Sequence, residues 1–239
     1  MGLTTKFAQK LTVPFSSVLS ADPDNKVIPS GGAGCFYTEF DGVDDKFDTT
    51  DAALKINGSQ TWCCEFLVNA SASSSNVPLL SNRVNNVSGF YLNFDARAGV
   101  NSLFATYDVP GNYWGSRTSG GVTRDTWYKL VVTYADQDIK IYLDAVDATV
   151  VFNSPAVNIV APTGNFNIGG DNVGNEFYGS LKNVEIYSGV ASNPTAWIPG
   201  DTGSLSGVTL VNQVPAADGV NDESISYTTY GDPQTLPCP

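Results

Sequence analysis

The sequence predicts an all-β protein, a two-sheet antiparallel jelly-roll sandwich, and three observations carry that prediction. Short runs of Val, Ile, Phe, Tyr and Thr alternate with Gly- and Pro-rich turns along the 239 residues. No stretch of a dozen residues shows the i, i+3, i+4, i+7 apolar spacing of an amphipathic helix. The third is the segment Asp125 to Ala148, DTWYKLVVTYADQDIKIYLDAVDA, which shows a period of two twice over. Leu130, Val132 and Tyr134 alternate with Lys129, Val131 and Thr133, and Ile139, Ile141 and Leu143 alternate with Lys140, Tyr142 and Asp144. Ala-Asp-Gln-Asp between them is short and polar enough for a hairpin loop, so both aliphatic sets should share one buried face.

The elements follow in order. Residues 1–34 alternate polar clusters with Pro14, Pro23 and Pro29 and close on Ser-Gly-Gly-Ala-Gly, which predicts an arm rather than a core element. Two readings of the arm stand side by side, a disordered leader and, because Phe7, Leu11, Val13, Phe15, Val18 and Leu19 would be wasteful in a free tail, an extended segment that docks on a neighbouring subunit. Strands are expected at 36–40, 46–47, 62–68, 77–80, 90–94 and 103–107, with Phe90, Leu92 and Phe94 on one face. Asp108 to Arg124, DVPGNYWGSRTSGGVTR, reads as a long Gly-rich loop. After the central hairpin, strands are expected at 149–152, 157–160, 166–168 and 178–187. From Ser188 the pattern thins, with short runs at 208–211 and 224–230. The domain reading is an N-terminal arm at 1–34, a β-sandwich at 35–192, and a C-terminal extension at 193–239 that completes a sheet edge or reaches a neighbour.

Composition narrows the partners. Twelve Lys plus Arg stand against 24 Asp plus Glu, for a net charge of −12, and no basic cluster could neutralise a run of phosphates. Nucleic acid and anionic membranes are not expected partners. Only 15% of residues are charged, and plentiful Ser, Thr, Asn and Gly suit a surface that meets carbohydrate or protein. No stretch is long and apolar enough for a signal-peptide core or a bilayer span, so the reading expects a chain kept in the cytosol or leaving by a route that needs no signal. The cysteines, at 35, 63, 64 and 238, have neither zinc nor Cys-x-x-Cys spacing, and no bond is assigned. Cys63 and Cys64 should point to opposite faces, with Cys64 beside Trp62, Phe66 and Val68.

Three pieces in sequence order carry a family resemblance. The hairpin from Trp127 to Asp144, the run EFDGVDDKFD at 39–48, and FNIGGDNVGNEFYGSLKNVEIYSGVAS at 166–192 resemble the central hairpin, opening hairpin and closing strands of laminin G-like and pentraxin-like domains of the concanavalin A-like group. The resemblance implies a recognition fold and leaves the ligand open.

The chain has no histidine, which excludes Ser-His-Asp and Cys-His catalysis and His-ligated metals. A hydrolase would have to use carboxylates. Glycoside hydrolases that share the fold carry a Glu-x-Asp-x-x-Glu-like strand, which Glu39, Asp41 and Asp44 superficially resemble. The last member is Asp, and Gly42 to Asp45 reads as a turn that would not hold two carboxylates inward. The resemblance also implies calcium, whose hard-oxygen ligands are available at Asp44, Asp45 and Asp48, at Asp144 and Asp147, and above all at Asp171, Asn172, Asn175 and Glu176. Lys182 or Asn183 stands where relatives commonly carry an acid. For ligand contact the expected residues are Tyr113, Trp114 and Arg117, with Asp171 and Asn172, because exposed rings stack on sugars and polar groups pair with hydroxyls. The alternative for Trp114 is that it folds back over the sheet.

The functional expectation is a non-enzymatic virion component, most plausibly of a bacteriophage, that decorates a capsid or attaches the particle. It would be anchored to capsid or tail protein by its arms, homo-oligomeric, and able to touch host-surface glycan. The alternatives are an extracellular lectin or adhesion module and a carboxylate glycosidase.

Overall fold

A computed structural model of the chain describes residues 36–85, 87–97, 100–135, 138–153, 159, 161–201, 203–214, 225 and 227–237. The arm expected over 1–34, Cys35, Cys238 and all of 157–160 but Ile159 lie outside the described residues. The strands in chain order begin β1 (Phe36–Asp41), β2 (Lys46–Thr49), β3 (Gln60–Val68), β4 (Val77–Ser81), β5 (Gly89–Asp95) and β6 (Ser102–Val109). They continue with β7 (Asn112–Thr118), β8 (Tyr128–Ala135), β9 (Asp138–Leu143), β10 (Val146–Asp147) and β11 (Thr149–Asn153). The last are β12 (Phe166–Ile168), β13 (Tyr178–Ser188), β14 (Thr209–Val214), β15 (Thr228–Tyr230) and β16 (Gln234–Pro237).

These strands form two antiparallel sheets. The first runs β10-β9-β8-β3-β13-β1-β16, with β14 paired to β13, and the second runs β11-β7-β6-β5-β4-β12-β2-β15. In the central hairpin Leu130 faces Leu143, Val132 faces Ile141 and Tyr134 faces Ile139, the register that the period of two requires for one buried face. The stretch read as a C-terminal extension supplies strands to both sheets: β15 closes the second against β2, and β16 closes the first against β1.

The sheets are joined through an aromatic core. Trp62 of β3 lies 5.4 Å from Tyr134 in its own sheet, and 5.6 Å from Phe90 and 5.5 Å from Phe166 in the other. From Phe90 the contacts continue to Tyr107 at 4.8 Å and from there to Trp114 at 5.7 Å. Such ring pairs add to the stabilisation that area burial alone provides. The Trp62 indole N–H is satisfied by the buried Gln60 Oε1 at 2.9 Å, so the ring enters the core with no unpaired donor.

A second, smaller core covers the outward side of the first sheet. Cys63, Val131 and Tyr187 pack there against Ala191, Trp197 and Leu205, while Cys64 joins the main core on the opposite face. The Glu185 carboxylate is fully buried in this layer. It accepts from the Tyr187 hydroxyl at 2.6 Å, the Trp197 indole N–H at 2.7 Å and the Gly200 backbone N–H at 2.8 Å, which fastens the segment after β13 to the sheet. Burial pushes the Cys63 thiol well up, and the Glu185 charge adds to the effect, so this sulfur stays an unreactive thiol.

Two expectations are corrected. The segment 108–124 is not a single loop: Pro110 and Gly111 make a tight turn and the chain returns as β7, pairing with β6 from Phe104↔Arg117 to Val109↔Asn112. Its Gly and Ser content disguised the alternation, but Trp114 and Ser116 point inward, and the Ser116 hydroxyl donates across the sandwich to the Ile139 carbonyl at 2.7 Å. The closing strand β16 was also not expected, because Gln-Thr-Leu-Pro has only one large apolar residue to signal it.

Because Trp62 contacts rings from both sheets, Trp62→Ala should lower the free energy of unfolding by about 3 to 5 kcal/mol. Denaturant unfolding followed by fluorescence checks this, and a loss under about 1 kcal/mol would show that the ring cluster does not tie the sheets together.

Candidate functional site

The inward alternation of the second sheet dictates what its other face carries. Phe90, Leu92 and Phe94 of β5, Leu103, Ala105 and Tyr107 of β6, and Trp114 of β7 are buried in the core. Tyr91, Asn93 and Asp95, then Phe104, Thr106 and Asp108, then Tyr113, Gly115 and Arg117 must therefore face outward. Register aligns them in rows: Arg117, Phe104 and Asn93 across one, Gly115, Thr106 and Tyr91 across the next. The rows floor a cleft of about 400 Å³, walled by Ser75, Asn76, Arg83, Asn85 and Arg97 on one side and Phe152 on the other.

The cleft has an aromatic end and a charged end. Tyr113 and Phe152 are 41% and 37% exposed, and Phe152 packs edge-on to Phe104 with centroids 5.4 Å apart. Gly115 makes this possible, because a Cβ there would lie 2.8 Å from the Phe152 ring and 2.7 Å from the Thr106 methyl. At the charged end Arg83 lies flat over Tyr91, 3.6 Å from the ring centroid, and meets Asp108 at 3.8 Å. Arg97 holds Asp95 through Nε to Oδ1 at 3.0 Å and Nη2 to Oδ2 at 2.6 Å. Burial alone would raise the Asp95 carboxyl, but the Arg97 side chain and backbone N–H outweigh it and hold it below its ordinary value. Between the two ends, Thr106 Oγ1 and Arg83 Nε are buried with no hydrogen-bond partner.

The residues expected to contact ligand are only partly brought together here. Tyr113 lines the cleft. Trp114 is 1% exposed and packs on Tyr107, so the strand's alternation turns it into the core and it cannot touch a ligand. Arg117 is exposed at the end of the Phe104 and Asn93 row, outside the cleft, in a separate depression with Ser102, Thr118 and Val150. Asp171 is fully buried behind Tyr91, and its charge, after burial, helps to raise the Tyr91 phenol. Sequence reading missed Tyr91, Asn93, Asp95, Thr106 and Asp108. The signal was present in FYLNFD and SLFATYDV, where placing one set of alternate residues in the core leaves a polar and aromatic set outside.

At Asp171, Asn172 and Glu176, expected to hold a cation, the side chains are engaged with the protein's own groups. Asp171 Oδ1 accepts from the backbone N–H of Val173 and Asn175, both at 2.9 Å, and Oδ2 accepts from the Asn175 amide at 2.8 Å. Asn172 donates to the Arg83 and Asn165 carbonyls and accepts from the Asn167 amide. Glu176 faces a resident cation, the Lys46 ammonium, at 3.7 Å. Asp48 accepts from the Asn165 amide, and Asp144 and Asp147 accept from the backbone N–H of Lys129 and Thr149, as turn builders do.

Carboxylate oxygens of Asp41, Asp44 and Asp45 do converge, all within 4.8 Å of one another. Both Asp45 oxygens are already committed, to the backbone N–H of Asp41 at 2.9 Å and of Asp232 at 2.7 Å, and Asp41 Oδ1 accepts from Val43 N–H at 2.8 Å. Burial raises the Asp45 carboxyl despite these bonds. Oxygen chemistry suits a hard cation, yet a chelate would have to break the contacts that close this turn. Glu39 and Asp41, raised as glycosidase candidates with Asp44, are exposed, and Gly42 at φ 77° bends the chain between Asp41 and Asp44. That bend takes Asp44 off the strand.

With this geometry in hand, the chain belongs to the concanavalin A-like lectin/glucanases superfamily, whose laminin G-type family profile matches residues 41–195. No curated protein matches it. Among solved structures it is similar to the heptameric SAP-like pentraxin of Limulus polyphemus, with TM-score 0.58 and 9% identity over 87% of this chain and 96% of that one. It is also similar to a candidate carbohydrate-binding protein of Bacteroides ovatus, with TM-score 0.57 and 13% identity over 85% of this chain, and spans 60% of that protein's length. At these identities the likeness establishes the fold. Among the described residues no helix is long and apolar enough to cross a membrane.

The Glu176 carboxyl is raised to about 7, first by burial and then by Asp171 and Asp44, against the opposing pull of Lys46. The folded protein keeps this proton where the unfolded chain has released it. Its contribution to stability is therefore complete below the ordinary value of 4.5 and is lost as pH rises toward 7. Thermal melts of Glu176→Gln across that window should show a flatter fall than the unaltered protein, and parallel curves would place the titration elsewhere.

Proposed function

We propose that this chain is a non-enzymatic glycan-binding module whose ligand lies in the cleft on the outward face of the second sheet. One observation carries the reading: exposed rings at Tyr113 and Phe152 border a cleft whose other side presents the exposed amides of Asn76 and Asn85. A pyranose offers an apolar C–H face to the rings and hydroxyls to the amides, so both requirements are met by one ligand. Membership of a lectin/glucanase superfamily and the carbohydrate-binding description of the Bacteroides relative support the reading. Of the two carboxylates in the cleft, Asp95 is forked by Arg97 and held below its ordinary value, which suits hydrogen-bond acceptance rather than proton donation, and Asp108 lies 3.8 Å from Arg83.

The module's setting is proposed to be a virion, where repeated copies anchored to capsid or tail protein would multiply a weak single-site affinity for host-surface glycan. The apolar side chains spaced through residues 7–19 support such an anchor. Mass spectrometry of purified particles should find the chain at a fixed ratio to the major structural protein. Recovery only as a free monomer would end that placement and leave glycan binding untouched.

Tyr113→Ala and Phe152→Ala should each weaken oligosaccharide binding about tenfold at unchanged melting temperature, by loss of a stacking surface. Trp114→Ala should instead cost about 3 to 5 kcal/mol of stability, because it empties the core. Calorimetric titration together with thermal melts reads both, and a Tyr113→Ala protein that binds normally would remove the cleft from the mechanism.

A further inference from the structure

Resting on the glycan-binding reading, we infer that the ligand is an uncharged oligosaccharide, and that the cleft excludes sialylated, uronate and amino sugars. Both cleft arginines are already committed. Arg97 is held in a two-point fork by Asp95, and Arg83 is fixed between the Tyr91 ring and the Asp108 carboxylate. Formal charges of the two arginines and two aspartates cancel, so the cleft offers neither a spare guanidinium to a carboxylate ligand nor a spare carboxylate to an ammonium. What it does offer is neutral chemistry: the exposed amides of Asn76 and Asn85 and the exposed rings of Tyr113 and Phe152. A ligand anion would meet Asp95 and Asp108, with the Asp171 charge behind Tyr91, in a protein of net charge −12. An ammonium at Asp95 would have to compete with the Arg97 guanidinium, which pairs with that carboxylate in two-point geometry.

The arrangement also predicts how the exclusion is lifted. Asp95→Asn removes the partner carboxylate and leaves the Arg97 guanidinium at the cleft edge, where its side chain is 62% exposed. That single change should turn a neutral site into one that accepts a carboxylate.

The test is calorimetric titration of the full chain with uncharged hexaoses of glucose, xylose, mannose and galactose, and with hexagalacturonate, 3′-sialyllactose and a chitosan hexamer. At least one uncharged hexaose should bind, with every charged probe about tenfold or more weaker and with an affinity that changes less than about twofold from 50 to 500 mM salt. Asp95→Asn should raise hexagalacturonate affinity about tenfold in a salt-sensitive manner. Tighter binding of galacturonate, sialyllactose or chitosan than of any neutral hexaose, lost in Tyr113→Ala, would overturn the inference and leave the glycan site standing. An Asp95→Asn protein that melts normally and gains no galacturonate binding would also overturn it. Failure of every sugar to bind in a Tyr113-dependent way would overturn both this inference and the reading beneath it.

Discussion

Everything in this fold depends on the contact of Trp62 with rings from the opposite sheet. A pleated strand has only two faces, so once Phe90, Tyr107 and Trp114 are drawn toward that indole, their neighbours are driven outward with no further choice. The outward set is what gives the second sheet its cleft. Core packing and ligand chemistry are thus two readings of one alternation, and a residue cannot leave one set without entering the other. Trp114 shows this most directly, since its neighbour Tyr113 reaches the surface because Trp114 does not.

The first sheet spends its outer face differently. There the chain after β13 folds back and is fastened by Glu185, a buried carboxylate with three donors and no cation among them. Hydrogen bonds from neutral donors can hold a buried charge where they converge from fixed positions. With part of that face covered by the protein's own chain, and its far rim shaped by the bonds that close the Asp41 to Asp45 turn, the first sheet keeps a polar hollow among Asp41, Tyr178 and Gln234, while the cleft with exposed rings lies on the second sheet.

How much of this the sequence disclosed depended on how loudly each strand alternated. The central hairpin was legible because LVVTY and IKIYL carry large aliphatic side chains at every second position, and β5 and β6 were placed within a residue or two for the same reason. Strand β7 was not, since Gly115 and Ser116 are strand residues only in a place where Phe152 needs room and Ile139 needs a donor, facts of tertiary contact that no local pattern contains. The acidic loop at 171–176 was ambiguous for a related reason. Asp and Asn serve cation binding and turn formation with the same oxygens, and only the coordinates show that Asp171 gives both of its own to the turn. The cleft was hidden because its residues are scattered over four strands and three loops, and become neighbours only through register.

The closing strands carry a consequence of their own. Since β15 rims one sheet and β16 the other, a polypeptide ended at Ser192 would leave raw ladder edges on both layers at once. Exposed edges recruit strands from other molecules, and such a truncation would present β1 and β2 to them in place of β16 and β15. The tail of this chain thus decides which strand stands at one border of each layer.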